Sequence, residues 1–193
     1  MLIIKGNAKW AKVHVPDTKF NPDGDYSIQV LMSAEEAAVV EEKLQEILDE
    51  FVAELVKEKP QLAKTVKLAT LCENEFDQDG NETGKVVFKT KRKAILHSKK
   101  TGKDYVQNVV VVDAKRQPTK VDIGNGSVVK VAVEPRPYYM PSSKTAGVSL
   151  QLNAVQVITL VEYKGSAAAI FDDEEGYETE ATDNTPFDVN EDF

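Results

Sequence analysis

The chain has 193 residues, 41% of them apolar, which is enough for one domain with a true core, and its formal net charge is −8. A single cysteine, Cys72, excludes an internal disulfide, and with only two histidines beside it there is no set of soft zinc ligands; no metal and no cofactor is expected. No apolar run reaches membrane-spanning length, and residues 1–10 lack the apolar stretch and small-residue cleavage site of a secretory signal, so a reducing, cytoplasmic compartment and no membrane contact are expected.

In chain order, Ile3 to Val15 alternate loosely and stop at Pro16, Phe20 to Asp25 is dense in turn residues, and Tyr26 to Leu31 resumes a period of two. The pattern predicts two strands joined by a loop, with Tyr26 facing the core. Ser33 then opens a capping box with Glu36, and Val40, Leu44, Ile47, Phe51 and Leu55 recur at helical spacing until Lys59 and Pro60 end the run. This is the one long helix, an insertion over 33–59. From Thr65 onward short strands return between turns at Asp77–Asn81, Lys99–Gly102 and Gly124–Gly126 and a proline-rich loop from Pro135 to Pro141; Gly147 to Tyr163 is the longest strand candidate. Strands with one interposed helix and no βαβ alternation predict a mainly β (α+β) fold, a five-stranded antiparallel barrel of the OB type spanning residues 1–171.

Charge is distributed unevenly. Residues 172–193 carry ten carboxylate side chains and no Lys or Arg, the composition of a disordered tail, so residues 1–171 hold 24 basic against 22 acidic side chains and sit near +2. A mildly basic body with an acidic segment is the layout expected of a polyanion binder that carries a competitor for its own site. Between Lys85 and Lys103 there are eight basic residues and no acidic one: Lys85, Lys89, Lys91, Arg92, Lys93, Lys99, Lys100 and Lys103. On a strand Lys85, Lys89, Lys91 and Lys93 share a face, while Val86, Phe88, Ala94 and Leu96 share the inward one. The turn from His97 to Lys103 then adds three lysines at the tip of a hairpin returning through Tyr105. Such a row suits a phosphate backbone, whose charge repeats and whose contacts release counterions. The blander reading is a solvated edge strand guarded by lysines, which would not need eight like charges without an acidic partner.

Tyr138 and Tyr139 lie between prolines beside Arg136. Rings held stiffly near cations are what base stacking requires. Two adjacent tyrosines cannot both point inward. Trp10, between Lys9 and Lys12, is a second stacking candidate, although a lone Trp in a strand commonly belongs to a core, and Tyr105 is a third. Asp77 to Glu82 has its glycine at the wrong position for a calcium loop and reads as a hairpin turn. Neither His14 nor His97 has a Ser or Cys partner in a nucleophile motif, and no phosphate loop of Walker type occurs, so no catalytic residue is assigned and the protein is not read as an enzyme.

Three stretches carry a family likeness: Lys5 to Val13 followed by Pro16 and Phe20, the glycine-led strand Gly147 to Val157, and the ending Glu191, Asp192, Phe193. On these the chain resembles the tailed-phage single-stranded DNA-binding proteins built on an OB-fold, in particular the enterobacterial-phage group. The resemblance implies a non-catalytic protein that coats single-stranded DNA in replication and recombination. It also implies an acidic tail that recruits replication or recombination proteins; Phe187, Glu191, Asp192 and Phe193 are the tail residues that would meet them. The tail departs from the Asp-Ile-Pro-Phe ending of bacterial single-strand binders, so their partner list does not transfer. From charge and aromaticity, Lys85 to Lys103 and Arg136 are expected on phosphates and Tyr138, Tyr139, Trp10 and Tyr105 on bases. An RNA-binding barrel would use the same parts, whereas in a structural virion protein the barrel would be an assembly surface and the basic hairpin would meet an acidic neighbour; the oligomeric state stays open.

Overall fold

In the computed structural model, residues 1–77, 79–98 and 101–162 are described. Ten strands run in order: β1 (Leu2–Asp17), β2 (Asp25–Ser33), β3 (Lys67–Leu68), β4 (Glu73–Phe76), β5 (Glu82–Lys93), β6 (Ile95–His97), β7 (Asp104–Val106), β8 (Val110–Val112), β9 (Val128–Met140) and β10 (Thr145–Thr159). Helix α1 (Ala34–Glu58) lies between β2 and β3. None of the helices described is long and apolar enough to cross a membrane. The acidic segment 172–193 and the expected end of the body at residue 171 fall outside the described residues.

Five strands close the barrel in the order β10-β9-β1-β2-β5, and β5 returns to β10. Four of the five seams are antiparallel, as expected. The closing one is parallel, Leu150 opposite Thr90 and Gln151 opposite Lys91. Strands β3 and β8 add to β10 and β4 adds to β5, while β6 and β7 form a separate ribbon.

Period-two alternation fills the interior. Ile4, Ile28, Val30, Phe88, Val129, Val131, Val133, Leu152 and Val155 have no solvent exposure, and Tyr26 is buried as its parity predicts. On β10 the inward set shifts from Leu150 and Leu152 to Val155 and Val157, because a bulge between Leu152 and Ala154 inserts one residue. A similar irregularity between Lys9 and Lys12 moves the inward set of β1 from Ile4 and Ala8 to Val13. Helix α1 begins at the expected capping box, in which Ser33 and Glu36 each satisfy the other's backbone N–H. Its core face is Ala37, Leu44, Leu48 and Leu55, spaced along one side. Val40, Ile47 and Phe51 flank that face half-buried, so the expected stripe is rotated slightly.

Two expectations need correction. Pro135 to Pro141 is no loop, since β9 continues to Met140 with Pro135 opposite Leu150 and Pro137 opposite Val148. Prolines two residues apart turn their missing N–H groups to one edge, and β1 starts at Leu2 opposite Val133, so beyond that point the edge has no partner strand among the described residues. Leu96 is not in the core but 45% exposed, because the chain leaves the barrel after buried Ala94 and β6 pairs only with β7. Trp10, read as a stacking candidate against the commoner core role, is 63% exposed and lies outside the core.

Candidate nucleic-acid interface

Lys89, Lys91 and Lys93 project from one face of β5, as the spacing predicts. With Arg92, Arg136 of β9 and Tyr138 they line one open groove of about 660 Å³ across β5, β10 and β9. Among the described residues, five cations face a single acidic side chain there, Glu73. Tyr138 enters the groove and Tyr139, its half-buried neighbour on the alternate side of β9, does not. A Cβ on Gly147 would lie 2.6 Å from Tyr138 Oη and 2.9 Å from the Ala69 methyl, so the tyrosine ring lies across bare backbone opposite it in β10.

The other predicted residues lie elsewhere. Lys85 is exposed at the start of β5, and Lys103 and Tyr105 are exposed on the β6–β7 ribbon. None of these lines the groove. Lys99, Lys100, Phe187, Glu191, Asp192 and Phe193 lie outside the described residues. Trp10 stands on the β1 irregularity with a left-handed φ of 51°, which bulky residues rarely adopt, and its backbone N–H donates to Asn125 Oδ1 at 2.8 Å. That loop is tied down further by Asn7 Nδ2 donating to Gly126 O and Gly126 N–H donating to Ala8 O.

The lysine row is not free of acidic partners. Lys89 Nζ lies 2.5 Å from Glu73 Oε2 on β4, and Lys91 Nζ lies 2.8 Å from Asp25 Oδ2 on β2. Asp25 is buried, also accepts from Asn21 Nδ2, and keeps its Oδ1 without a partner. Arg92 is committed to the fold: Nη1 donates to the Leu152 carbonyl at 3.2 Å and to Asn153 Oδ1 at 2.6 Å, pinning the β10 bulge. Lys93 has no ion pair among the described residues, and Arg136 has only the exposed Glu134.

Two lysines were missed as contributors to this face. Lys9 pairs through Gln29 with Lys89, and Lys12 through Ser27 with Lys91, so the cross-strand rows put all four on the outer wall. Their opposite parity in the sequence hid this, because only the irregularity at Trp10 brings both outward. Lys9 Nζ is 2.7 Å from Glu75 Oε1, which holds that carboxyl below its ordinary 4.5, while Lys12 pairs with Asp17.

At the end of the wall His97 joins two segments. Its Nδ1 meets Asp104 at 2.5 Å and its Nε2 meets Asp23 at 3.0 Å, and the two carboxylates raise its pKa above the ordinary 6.5. The Cys72 thiol, which lines the groove, donates to Glu41 Oε1; burial and that carboxylate push its pKa up to about 12, so it stays an unreactive thiol.

A five-strand barrel closed in this order, with a basic groove edged by an aromatic ring on its wall, defines a protein of the oligonucleotide-binding OB class. Within that class the family described as single-stranded DNA-binding protein, bacteriophage T7, matches residues 5–160, and the chain belongs to it. The single-stranded DNA-binding protein of Enterobacteria phage T3 is 30% identical over 162 residues, covering 80% of this chain and 70% of the relative. The crystal structure of gp2.5, a single-stranded DNA-binding protein encoded by bacteriophage T7, superposes with a TM-score of 0.65 at 26% identity, spanning 93% of this chain and 99% of that one. The single-stranded DNA-binding protein from bacteriophage Enc34, in complex with ssDNA, shares the fold at a TM-score of 0.52 and 15% identity, over 84% and 88% of the two chains. The family is one of DNA-binding proteins rather than enzymes, which agrees with the sequence reading.

Proposed function

We propose that the protein binds single-stranded DNA without sequence preference and coats it during phage replication and recombination in the host cytoplasm. The observation that carries this reading is the groove in which Lys89, Lys91, Arg92, Lys93 and Arg136 share a wall with Tyr138. Cations along a groove follow a phosphate backbone whatever its sequence, and a ring at the groove wall stacks on any base a single strand leaves unpaired. The acidic segment 172–193, whose reading rests on composition alone, serves in the same proposal as a tethered competitor for the groove. Phe193, with Glu191, Asp192 and Phe187, offers partner proteins an apolar anchor with an acidic rim.

Titration of a fluorescent oligo-dT at two salt concentrations, with oligo-U and duplex DNA as competitors, tests the proposal in the full chain and in one ending at residue 171. Oligo-dT should bind best and weaken steeply with salt. The shortened chain should bind more tightly at low salt, and the gain should shrink as salt rises. Deleting Phe193 alone should abolish capture of replication proteins at unchanged DNA affinity. No binding to oligo-dT, or a preference for oligo-U, overturns the DNA reading; equal affinities of the long and short chains overturn the competitor role of the tail.

A further inference from the structure

Strand β4 brings two carboxylates, Glu73 and Glu75, to lysines of the barrel wall. Glu75 reaches Lys9 on β1 although β2 and β5 intervene in the sheet order, so the sheet curls β4 toward the lysine-bearing face. The two contacts differ in kind. Glu75 keeps only 13% of its side chain exposed and its second oxygen accepts from Thr83 Oγ1 at 2.8 Å, so it is held from two sides and anchors the strand. Glu73 and Lys89 are both more than half exposed and share one contact. An exposed pair of this kind is weak and opens readily. Among the described residues it is also the only place where an acidic side chain lines the groove.

A carboxylate on a lysine of a phosphate groove presents the same charge and the same acceptor oxygens as a phosphate would. Resting on the DNA-binding reading above, we propose that Glu73 is a resident stand-in for a DNA phosphate: it occupies Lys89 in the free protein and is exchanged for phosphate when a single strand enters the groove. The neighbouring Lys91 cannot exchange in this way, because leaving Asp25 would strand a buried carboxylate whose Oδ1 already lacks a partner. Glu73 therefore sets the threshold at which the groove accepts a polyanion, and weak or short anions are refused where a repeating backbone is not. This device belongs to the barrel itself and operates without residues 172–193.

The test is a double-mutant cycle in the full chain, read by oligo-dT affinity at low and high salt. Glu73→Gln should tighten binding about two- to fivefold at low salt, the range that an exposed ion pair permits, with less gain at high salt. In a Lys89→Gln background the same substitution should bring no gain. Thermal unfolding of each variant reports whether the fold is kept, as the exposure of both side chains leads one to expect. An unchanged affinity on Glu73→Gln, or an equal gain with and without Lys89, overturns the proposal, the latter assigning the effect to the general field of the molecule. If the unsubstituted chain fails to bind oligo-dT, the DNA-binding reading itself has failed, which is a separate outcome.

Discussion

At Gly147 the bare backbone leaves the space in which the Tyr138 ring lies, and the ring in turn forms part of the groove wall. Tyr138→Ala should weaken oligo-dT binding by about 1 to 3 kcal/mol, the range for a lost base stack, and leave the salt dependence unchanged, because no charge is removed. Gly147→Ala should reproduce part of that loss by displacing the ring. Equal affinity of both variants and the parent would move the stacking role to another ring. The adjacent tyrosines were legible in the sequence as candidate stacking rings, but not which of them lines the groove. That depends on β9 running on through Pro135 and Pro137, after which alternation puts Tyr138 in the groove and Tyr139 on the other side. For Trp10 the missing signal was conformational, since a left-handed φ at a tryptophan has no signature in residue type.

Among the elements, β5 shows how a local pattern is completed by distant strands. Its alternation and its basic face follow from spacing alone, and in the barrel it stands between β2 and β10. Its acidic partners do not, because Glu73 and Asp25 arrive from β4 and β2 by pairing across the sheet. Arg92 likewise reads as one more phosphate cation until the β10 bulge is seen to rest on its guanidinium. Arg92→Met should therefore lower stability by roughly 1 to 3 kcal/mol, the cost of leaving a half-buried carbonyl and amide unpaired, as measured by urea unfolding. Unchanged stability would show that the bulge holds itself. Charge reversal at Lys91 is a poor probe of binding for a related reason, since it sets a second carboxylate beside buried Asp25. The helix was legible almost to the residue because its signals are local: a capping box at Ser33, one apolar stripe and Pro60.

For the molecule as a whole, net charge misleads and its distribution informs. A formal −8 suggests a protein that avoids nucleic acid, yet the ten carboxylates of residues 172–193 account for the sign and the remainder is slightly basic. Folding then concentrates that small excess, placing, among the described residues, five cations against one carboxylate in a single groove. The barrel class could be read from strands, turns and one helix, whereas the groove could not, because it joins strands β5, β9 and β10 that are distant in the chain. The central claim is that this groove holds the phosphates of a single strand. It is tested most directly by the slope of log affinity for oligo-dT against log salt concentration in the Lys89→Gln, Lys93→Gln, Arg136→Gln variant, three cations with no buried partner. The slope should become shallower by about 0.7 for each contact removed, with the fold intact. A folded variant with the parent's slope and affinity would place the DNA elsewhere on the barrel.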